Sequence, residues 1–139
     1  MTAGDTPVVR LLESREAHVA GRVGLSVAVR QHIDVAPAAV WQRLSEVGRA
    51  TRETLDDLPG WDVVGSVDAP SAITGLRPTR EQDLPATRAR LISDHGILTT
   101  VAGVARAPRE MTVPLLRVSP QVDCSADDLA RLRQALSIG

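Results

Sequence analysis

Residues 59–76 read PGWDVVGSVDAPSAITGL, a helix break followed by two short β-rich runs. The pair Pro59-Gly60 is a strong signal for the end of a preceding helix. Residues 61–67 and 72–76 are rich in residue types that favour strands, and a proline-containing turn segment separates them. The segment therefore predicts a hairpin whose loop lies near Asp68.

An amphipathic helix is predicted immediately before this hairpin. It begins at Pro37, which suits a first helical turn, and its apolar residues recur every three or four positions. The residues expected to face inward are Val40, Trp41, Leu44, Val47, Thr51, Leu55 and Leu58. The residues expected mostly on the opposite, polar side are Arg43, Glu46, Arg49, Arg52 and Glu53.

A further helix is predicted from about Arg15 to Ile33, and its apolar residues surround the helix axis. A helix that is apolar on all sides is normally buried on all sides. Gly21 and Gly24 each cost a helix interior about 1 kcal/mol relative to alanine, which points to the close approach of another backbone. The pattern predicts contact with something outside this chain. The alternative is a central helix that its own domain covers.

Two strands and two helices are predicted after the hairpin. A polar loop over residues 77–83 leads to a helix over 84–94, and Gly96 suits a left-handed cap at its end. Residues 97–101 and 115–119 predict strands, and the segment between them, with two prolines, is too irregular for either regular state. Ser125 caps the last helix, in which Leu129, Leu132 and Leu136 are expected to face inward.

The order of these elements predicts an α+β fold, a small antiparallel sheet with helices packed on it. With 139 residues, one domain is the natural count. We assign it to residues 11–139, and we interpret residues 1–10 as a leader or linker remnant because they contain no periodic pattern.

Composition argues against several classes of function. All sixteen basic residues are arginine and the net charge is -1, with two tryptophans and no phenylalanine or tyrosine, so no nucleic-acid partner is expected. No membrane-spanning tract or secretion signal is present, and the single Cys124 cannot form an internal disulfide, which predicts a cytoplasmic protein. The three histidines lie far apart in sequence, so no metal site is expected.

Arg117 is the residue whose local context suggests a ligand. Within the strand LLRVS, alternation puts Leu116 and Val118 on one face and Arg117 on the other. A guanidinium there must be paired or solvated, and its planar fork matches a carboxylate. Arg117 is therefore interpreted either as a carboxylate-binding residue or as a solvent-facing or structurally paired one. Arg106, in the irregular segment, is a second candidate with the same alternative.

Four segments, taken in order, resemble the C-terminal third of the class V aminotransferase superfamily. They are EAHVAGRVGLSVA at residues 16–28, LSEVGRATR at 44–52, VARAP at 104–108 and LRVSPQVD at 116–123. Within that superfamily the chain is most similar to the carbon-sulfur lyase of ergothioneine biosynthesis. The similarity runs from about Leu11 to the end of the chain.

This resemblance implies the small domain of a pyridoxal-phosphate enzyme, which closes over the substrate. In that family the large domain carries the lysine to which the cofactor is attached, and this chain contains no lysine. A lysine-bearing large domain or second subunit is therefore the expected partner, in a homo-oligomer such as a dimer. The implied reaction eliminates across the carbon-sulfur bond of hercynylcysteine sulfoxide and releases pyruvate and ammonia.

The resemblance also implies roles for individual residues. Arg117 matches the family arginine that holds the α-carboxylate of the amino-acid substrate. Glu16 and His18 lie in a stretch that reaches the cofactor phosphate of the neighbouring subunit, although the family's Gly-Thr is replaced by Arg15-Glu16 and its Asn by His18. Cysteine desulfurases of the superfamily have a reactive cysteine where this chain has Ala105, which argues against that activity.

Other functions remain open from the sequence. The chain is alternatively a non-catalytic α+β module that binds a small carboxylate or a partner helix, or the small domain of another class V aminotransferase-like enzyme. A third interpretation is a fragment with no function of its own.

Overall fold

The computed structural model describes residues 18–138, which form four α-helices, one 3₁₀ turn and a four-stranded sheet. The helices are α1 Val19–Asp34, α2 Pro37–Leu55, α3 Leu84–His95 and α4 Ala126–Ser137. The strands are β1 Trp61–Val64, β2 Thr74–Pro78, β3 Thr100–Ala102 and β4 Leu115–Val118, with the 3₁₀ turn at Val104–Arg106. This order confirms the predicted α+β class.

The sheet is antiparallel throughout and has the strand order β1-β2-β4-β3. The predicted hairpin is confirmed, because Val63 in β1 pairs with Leu76 in β2. Both strands differ from the prediction in their bounds. β1 ends three residues earlier than predicted, and β2 begins two residues later. The intervening residues instead form a connection that packs against α2.

The hydrophobic core lies between one face of the sheet and the ends of the three helices that follow α1. It consists of Leu55, Leu58, Trp61, Leu76, Leu84, Leu91, Leu116, Val118, Leu132, Ala135 and Leu136. Side chains alternate along β4 as predicted, because Leu116 and Val118 are buried here and Arg117 is not. The inward positions predicted for α4 are also confirmed, and Ser125 forms a full capping box with Asp128.

Contact analysis divides the chain into two units, Met1–Pro37 and Ala38–Gly139. Within the first unit, no residue of α1 is buried, and its large apolar side chains are each at least 48% exposed. Contact of this helix with something outside the chain stays a prediction, as does the alternative of cover by its own domain. Gly21 also has a local explanation, because a Cβ there would collide with the His18 imidazole that caps the same helix.

The predicted start of α2 at Pro37 is confirmed, but the helix ends at Leu55, before the predicted break at Pro59-Gly60. Two of the predicted orientations are wrong. Trp41 was expected to face inward and is 59% exposed. Arg52 was expected on the polar side and is 2% exposed, because the connection between β1 and β2 folds over that side of the helix.

Six of the described arginines tie distant parts of the fold together by donating hydrogen bonds to backbone carbonyls. They are Arg43, Arg52, Arg88, Arg90, Arg131 and Arg133. A guanidinium has five N–H donors in a fixed plane and can therefore satisfy several acceptors at once. Arg43, for example, binds the carbonyls of both Val122 and Cys124, at 3.0 and 2.9 Å.

Within residues 18–138, no helix is long and apolar enough to cross a membrane. The same residues contain no group of three or more His, Cys, Asp or Glu side chains that could hold a metal ion.

Candidate functional site

The second face of the sheet carries the principal candidate residue. Arg117 lies on β4, an inner strand, between Gly75 of β2 on one side and Thr100 of β3 on the other. Val64 of β1 continues the same row beyond Gly75. We call the surface formed by Val64, Gly75, Arg117 and Thr100 the Arg117 face.

The Arg117 side chain is half-buried and lacks an acceptor. Its Nε atom is fully buried and has no hydrogen-bond partner among the described residues. An unpaired buried donor of this kind costs about 1–3 kcal/mol unless a ligand or water satisfies it. Carboxylate binding by Arg117 stays a prediction, to which this unpaired donor is relevant.

A second arginine of the sheet shows the contrasting arrangement. Arg77 on β2 donates to Asp62 Oδ2 of β1 from both Nε and NH2, at 3.3 and 2.9 Å. Both side chains of this pair are about half exposed. Arg77 thus forms a cross-strand ion pair with Asp62. A structural ion pair of this kind was the alternative role considered for Arg117.

The space beside Arg117 is limited by neighbouring side chains. A Cβ added to Gly75 would lie 3.3 Å from Leu115 Cδ1 and 3.5 Å from Val64 Cβ. The position next to Arg117 therefore has little room for a side chain. Because Gly75 has none, no side chain projects from β2 beside Arg117.

Arg106 lies in the 3₁₀ turn after β3 and is exposed. Its backbone N–H donates to Gly103 O at 3.0 Å, and its side chain forms no hydrogen bond or ion pair with Arg117 or with any other described residue. The sheet register nevertheless places Thr100, six positions before Arg106, directly opposite Arg117. Arg106 remains a predicted second contact for a ligand.

Of the two predicted cofactor-binding residues, Glu16 lies outside the described residues. His18 is the N-cap of α1, and its Nδ1 accepts a hydrogen bond from the Gly21 N–H at 2.9 Å. This contact requires an unprotonated Nδ1 and leaves Nε2 for any further partner. The predicted contact of His18 with a phosphate is therefore restricted to Nε2.

Cys124 does not have the properties of a nucleophile. Burial raises the pKa of its thiol above the usual 9.0, and the carboxylates of Asp128 and Asp123 raise it further, whereas Arg43 acts in the opposite direction. The thiol is consequently protonated at neutral pH, and only the thiolate reacts as a nucleophile. Ala105, where the desulfurases have their cysteine, lies exposed in the 3₁₀ turn.

Arg52 is a residue whose position sequence reasoning missed. It buries its guanidinium against three carbonyls of the β1–β2 connection. Its spacing carried a signal, because it lies four residues after Gly48 and three before Leu55, both of which are buried. The charge of the side chain alone favoured the solvent side.

Comparison with known proteins supports the resemblance found in the sequence. No protein-family model matches the chain. A curated protein of Mycobacterium tuberculosis (strain CDC 1551 / Oshkosh), described as a probable hercynylcysteine sulfoxide lyase, is 50% identical to it over 129 residues. The match covers 93% of this chain but only 33% of the relative. The chain thus spans about a third of the length of the curated relative, and its similarity to this kind of lyase is confirmed.

Proposed function

We propose that this chain is the substrate-binding small domain of a pyridoxal-phosphate carbon-sulfur lyase that acts on hercynylcysteine sulfoxide. Two observations support the proposal. The first is the 50% identity with the M. tuberculosis relative, and the second is the unpartnered Nε of Arg117 on the Arg117 face. The second observation carries the chemical argument, since it identifies a hydrogen-bond donor that has no acceptor among the described residues.

Arg117 binds the α-carboxylate of the substrate in this proposal. The guanidinium is half-buried, so a carboxylate that reaches it leaves bulk water and interacts more strongly than it would at an exposed site. A bidentate contact also fixes the orientation of the carboxylate and of the α-carbon attached to it. Arg106 is the second contact that we propose, from the 3₁₀ turn.

These 139 residues cannot attach the cofactor through a lysine, because they contain none. We therefore assign the cofactor-bearing lysine to a large domain outside these residues or to a second subunit. Contacts of Glu16 and of His18 Nε2 with the cofactor phosphate remain predictions within this proposal. The cytoplasmic location and the homo-oligomer also remain predictions.

The exposed apolar side chains of α1 support the proposal that another domain or subunit binds this chain. Its large apolar side chains are Val19, Val23, Leu25, Val27, Val29 and Ile33, and all are exposed. Exposed apolar surface of this extent is typical of protein-protein interfaces. We propose that a lysine-bearing large domain or second subunit covers this helix.

The experiment is to co-express the chain with a lysine-bearing large domain, for which the unmatched part of the M. tuberculosis relative is a source. Pyruvate release from hercynylcysteine sulfoxide and the absorbance of bound pyridoxal phosphate are measured together. Arg117→Ala should lower kcat/KM about tenfold to a hundredfold and leave cofactor absorbance unchanged, because a hydrogen bond to a charged group contributes about 1.5–3 kcal/mol. The matched control is Arg109→Ala, which removes an exposed arginine of the segment before β4.

Two results would contradict the proposal. Turnover by the isolated chain with added cofactor would mean that no lysine-bearing partner is needed. An unchanged rate for Arg117→Ala in an active complex would remove Arg117 from the substrate site. If no complex forms but the chain alone binds small carboxylates through Arg117, the non-catalytic binding module is the better description.

A further inference from the structure

Arg52 is a buried cation that binds only backbone carbonyls within the described residues. Its Nε donates to Val67 O at 3.0 Å, its NH1 to Ser71 O at 2.8 Å and its NH2 to Ala69 O at 2.7 Å. The side chain is 2% exposed. All three nitrogens of the guanidinium are thus used to hold one short connection between β1 and β2.

A second contact from α2 holds the same connection. Gly48 lies one helical turn before Arg52, and a Cβ at Gly48 would collide with the backbone of Ser71 and Ala72. The connection therefore lies directly on the helix backbone at Gly48 and is bound by the guanidinium at Arg52. These two contacts fix its path immediately before β2.

The fixed connection leads directly to the Arg117 face. Ser71, the last carbonyl held by Arg52, lies three residues before Thr74, with which β2 begins. The next residue, Gly75, pairs with Arg117 and with Val64. A change in the path of the connection would therefore shift β2 beside Arg117.

We propose that Arg52 is a positioning residue for the Arg117 site, acting through the β1–β2 connection and Gly75. The proposal rests on the carboxylate-binding role assigned to Arg117 above. Arg52 touches no ligand in this scheme. It sets the environment of the arginine that does.

The geometry predicts that loss of the Arg52 side chain can be rescued chemically. Removing the Arg52 side chain leaves three carbonyl oxygens directed at a space shaped for a guanidinium. Ala69 O keeps the Ser71 N–H as a donor at 2.8 Å, whereas Val67 O and Ser71 O keep no donor among the described residues. Free guanidinium ion has the same planar set of donors and should bind there. A quaternary ammonium ion has no N–H donor and should not.

The test uses the whole 139-residue chain, labelled with ¹⁵N, and follows the Arg117 Nε–H and Gly75 amide resonances by NMR. S-methyl-L-cysteine sulfoxide serves as the carboxylate probe. Arg52→Ala is compared with Arg49→Ala, which removes a surface ion pair to Asp68 of the same connection. Ser125→Ala, which removes the cap of α4, controls for a general loss of stability.

Arg52→Ala should shift both resonances and weaken probe binding about tenfold or more, because small displacements of a binding group have large effects. Millimolar guanidinium, far below denaturing concentrations, should restore both, and tetramethylammonium chloride at equal concentration should restore neither. Arg49→Ala and Ser125→Ala should leave both resonances in place. If Arg52→Ala does not fold, Arg52→Gln is measured in the same way.

Unchanged Arg117 and Gly75 resonances in a folded Arg52 variant would overturn the positioning role, whether or not the probe binds. Equal shifts in Ser125→Ala would also overturn it, since they would reflect general destabilisation. Failure of the proposed function looks different. In that case the resonances respond to Arg52 as expected, but Arg117→Ala binds the probe as well as the original chain does.

Discussion

Two arginines of one sheet show how local partners decide a residue's role. Arg77 has Asp62 opposite it and forms an ion pair, whereas the positions opposite Arg117 are Gly75 and Thr100, neither of which is acidic. Exposed ion pairs such as Arg77–Asp62 contribute little to stability, typically about 0–1 kcal/mol. The arginine without a partner is therefore the more informative of the two.

At residue scale, Gly48→Ala should destabilise the fold by about 1–3 kcal/mol, the range typical of overpacking. The added methyl would collide with the backbone of Ser71 and Ala72, which cannot rotate away. Urea unfolding followed by the fluorescence of the buried Trp61 measures the change. Gly24→Ala is the matched control, because no atom lies within 4 Å of its Cβ position. Equal stability of both variants would contradict the close approach at Gly48.

Cys124 provides a second prediction at this scale. Because burial and two nearby carboxylates raise the pKa of its thiol, less thiolate is present at any given pH than in an ordinary cysteine. Iodoacetamide should therefore alkylate Cys124 more slowly than a free cysteine peptide at neutral pH, and the rate should still be rising at pH 9.0. A rate that levels off below that pH would contradict the raised pKa.

At the scale of the element, the start of α4 is fixed by a reciprocal cap. Ser125 Oγ accepts from the Asp128 N–H at 3.2 Å, and Asp128 Oδ2 accepts from the Ser125 N–H at 3.0 Å and from Ser125 Oγ at 2.7 Å. These hydrogen bonds to the side chain and backbone of Ser125 lower the pKa of Asp128 below its usual 3.8. The carboxylate form is thus favoured by folding.

Ser125→Ala should lower the free energy of unfolding by about 1 kcal/mol, as is typical for loss of an N-cap. The Asp128 contribution is present above its unfolded pKa of 3.8 and is lost as the pH falls through the lower folded value. The difference in stability between the variant and the original chain should therefore narrow in strong acid, while the part that comes from the Ser125 Oγ bond to the Asp128 N–H remains. Parallel urea titrations at several pH values test this, and a difference that is the same at every pH would contradict it.

The sequence predicted elements better than it predicted which way some of their residues face. Gly96 and Ser125 identified helix ends correctly, because each meets a local backbone requirement that adjacent residues do not change. Arg52 was misplaced because its burial depends on a connection that begins more than ten residues later. Arg117 became a candidate because its strand gave it an unusual local context. Gly75 did not, since its place beside Arg117 depends on pairing between strands.

At the scale of the whole molecule, α1 predicts self-association of the isolated chain. Its exposed apolar side chains have no cover within the described residues, and water disfavours that surface. Analytical ultracentrifugation should therefore detect oligomers, and Val23→Gln with Val27→Gln should reduce them. Co-expression with a lysine-bearing large domain should have the same effect by covering the helix. A monomer at all concentrations would contradict this prediction.

The arginine contacts to backbone carbonyls have a consequence for how this sequence is free to diverge. A carbonyl is supplied by every amino acid, so the residues at positions 54, 67, 69, 71, 95, 99, 122, 124 and 135 can be exchanged without loss of these bonds. The donor arginines have no such freedom, because a lysine side chain has one nitrogen donor whereas the planar guanidinium has three. Among homologues we therefore expect the donor arginines to persist while the acceptor positions drift.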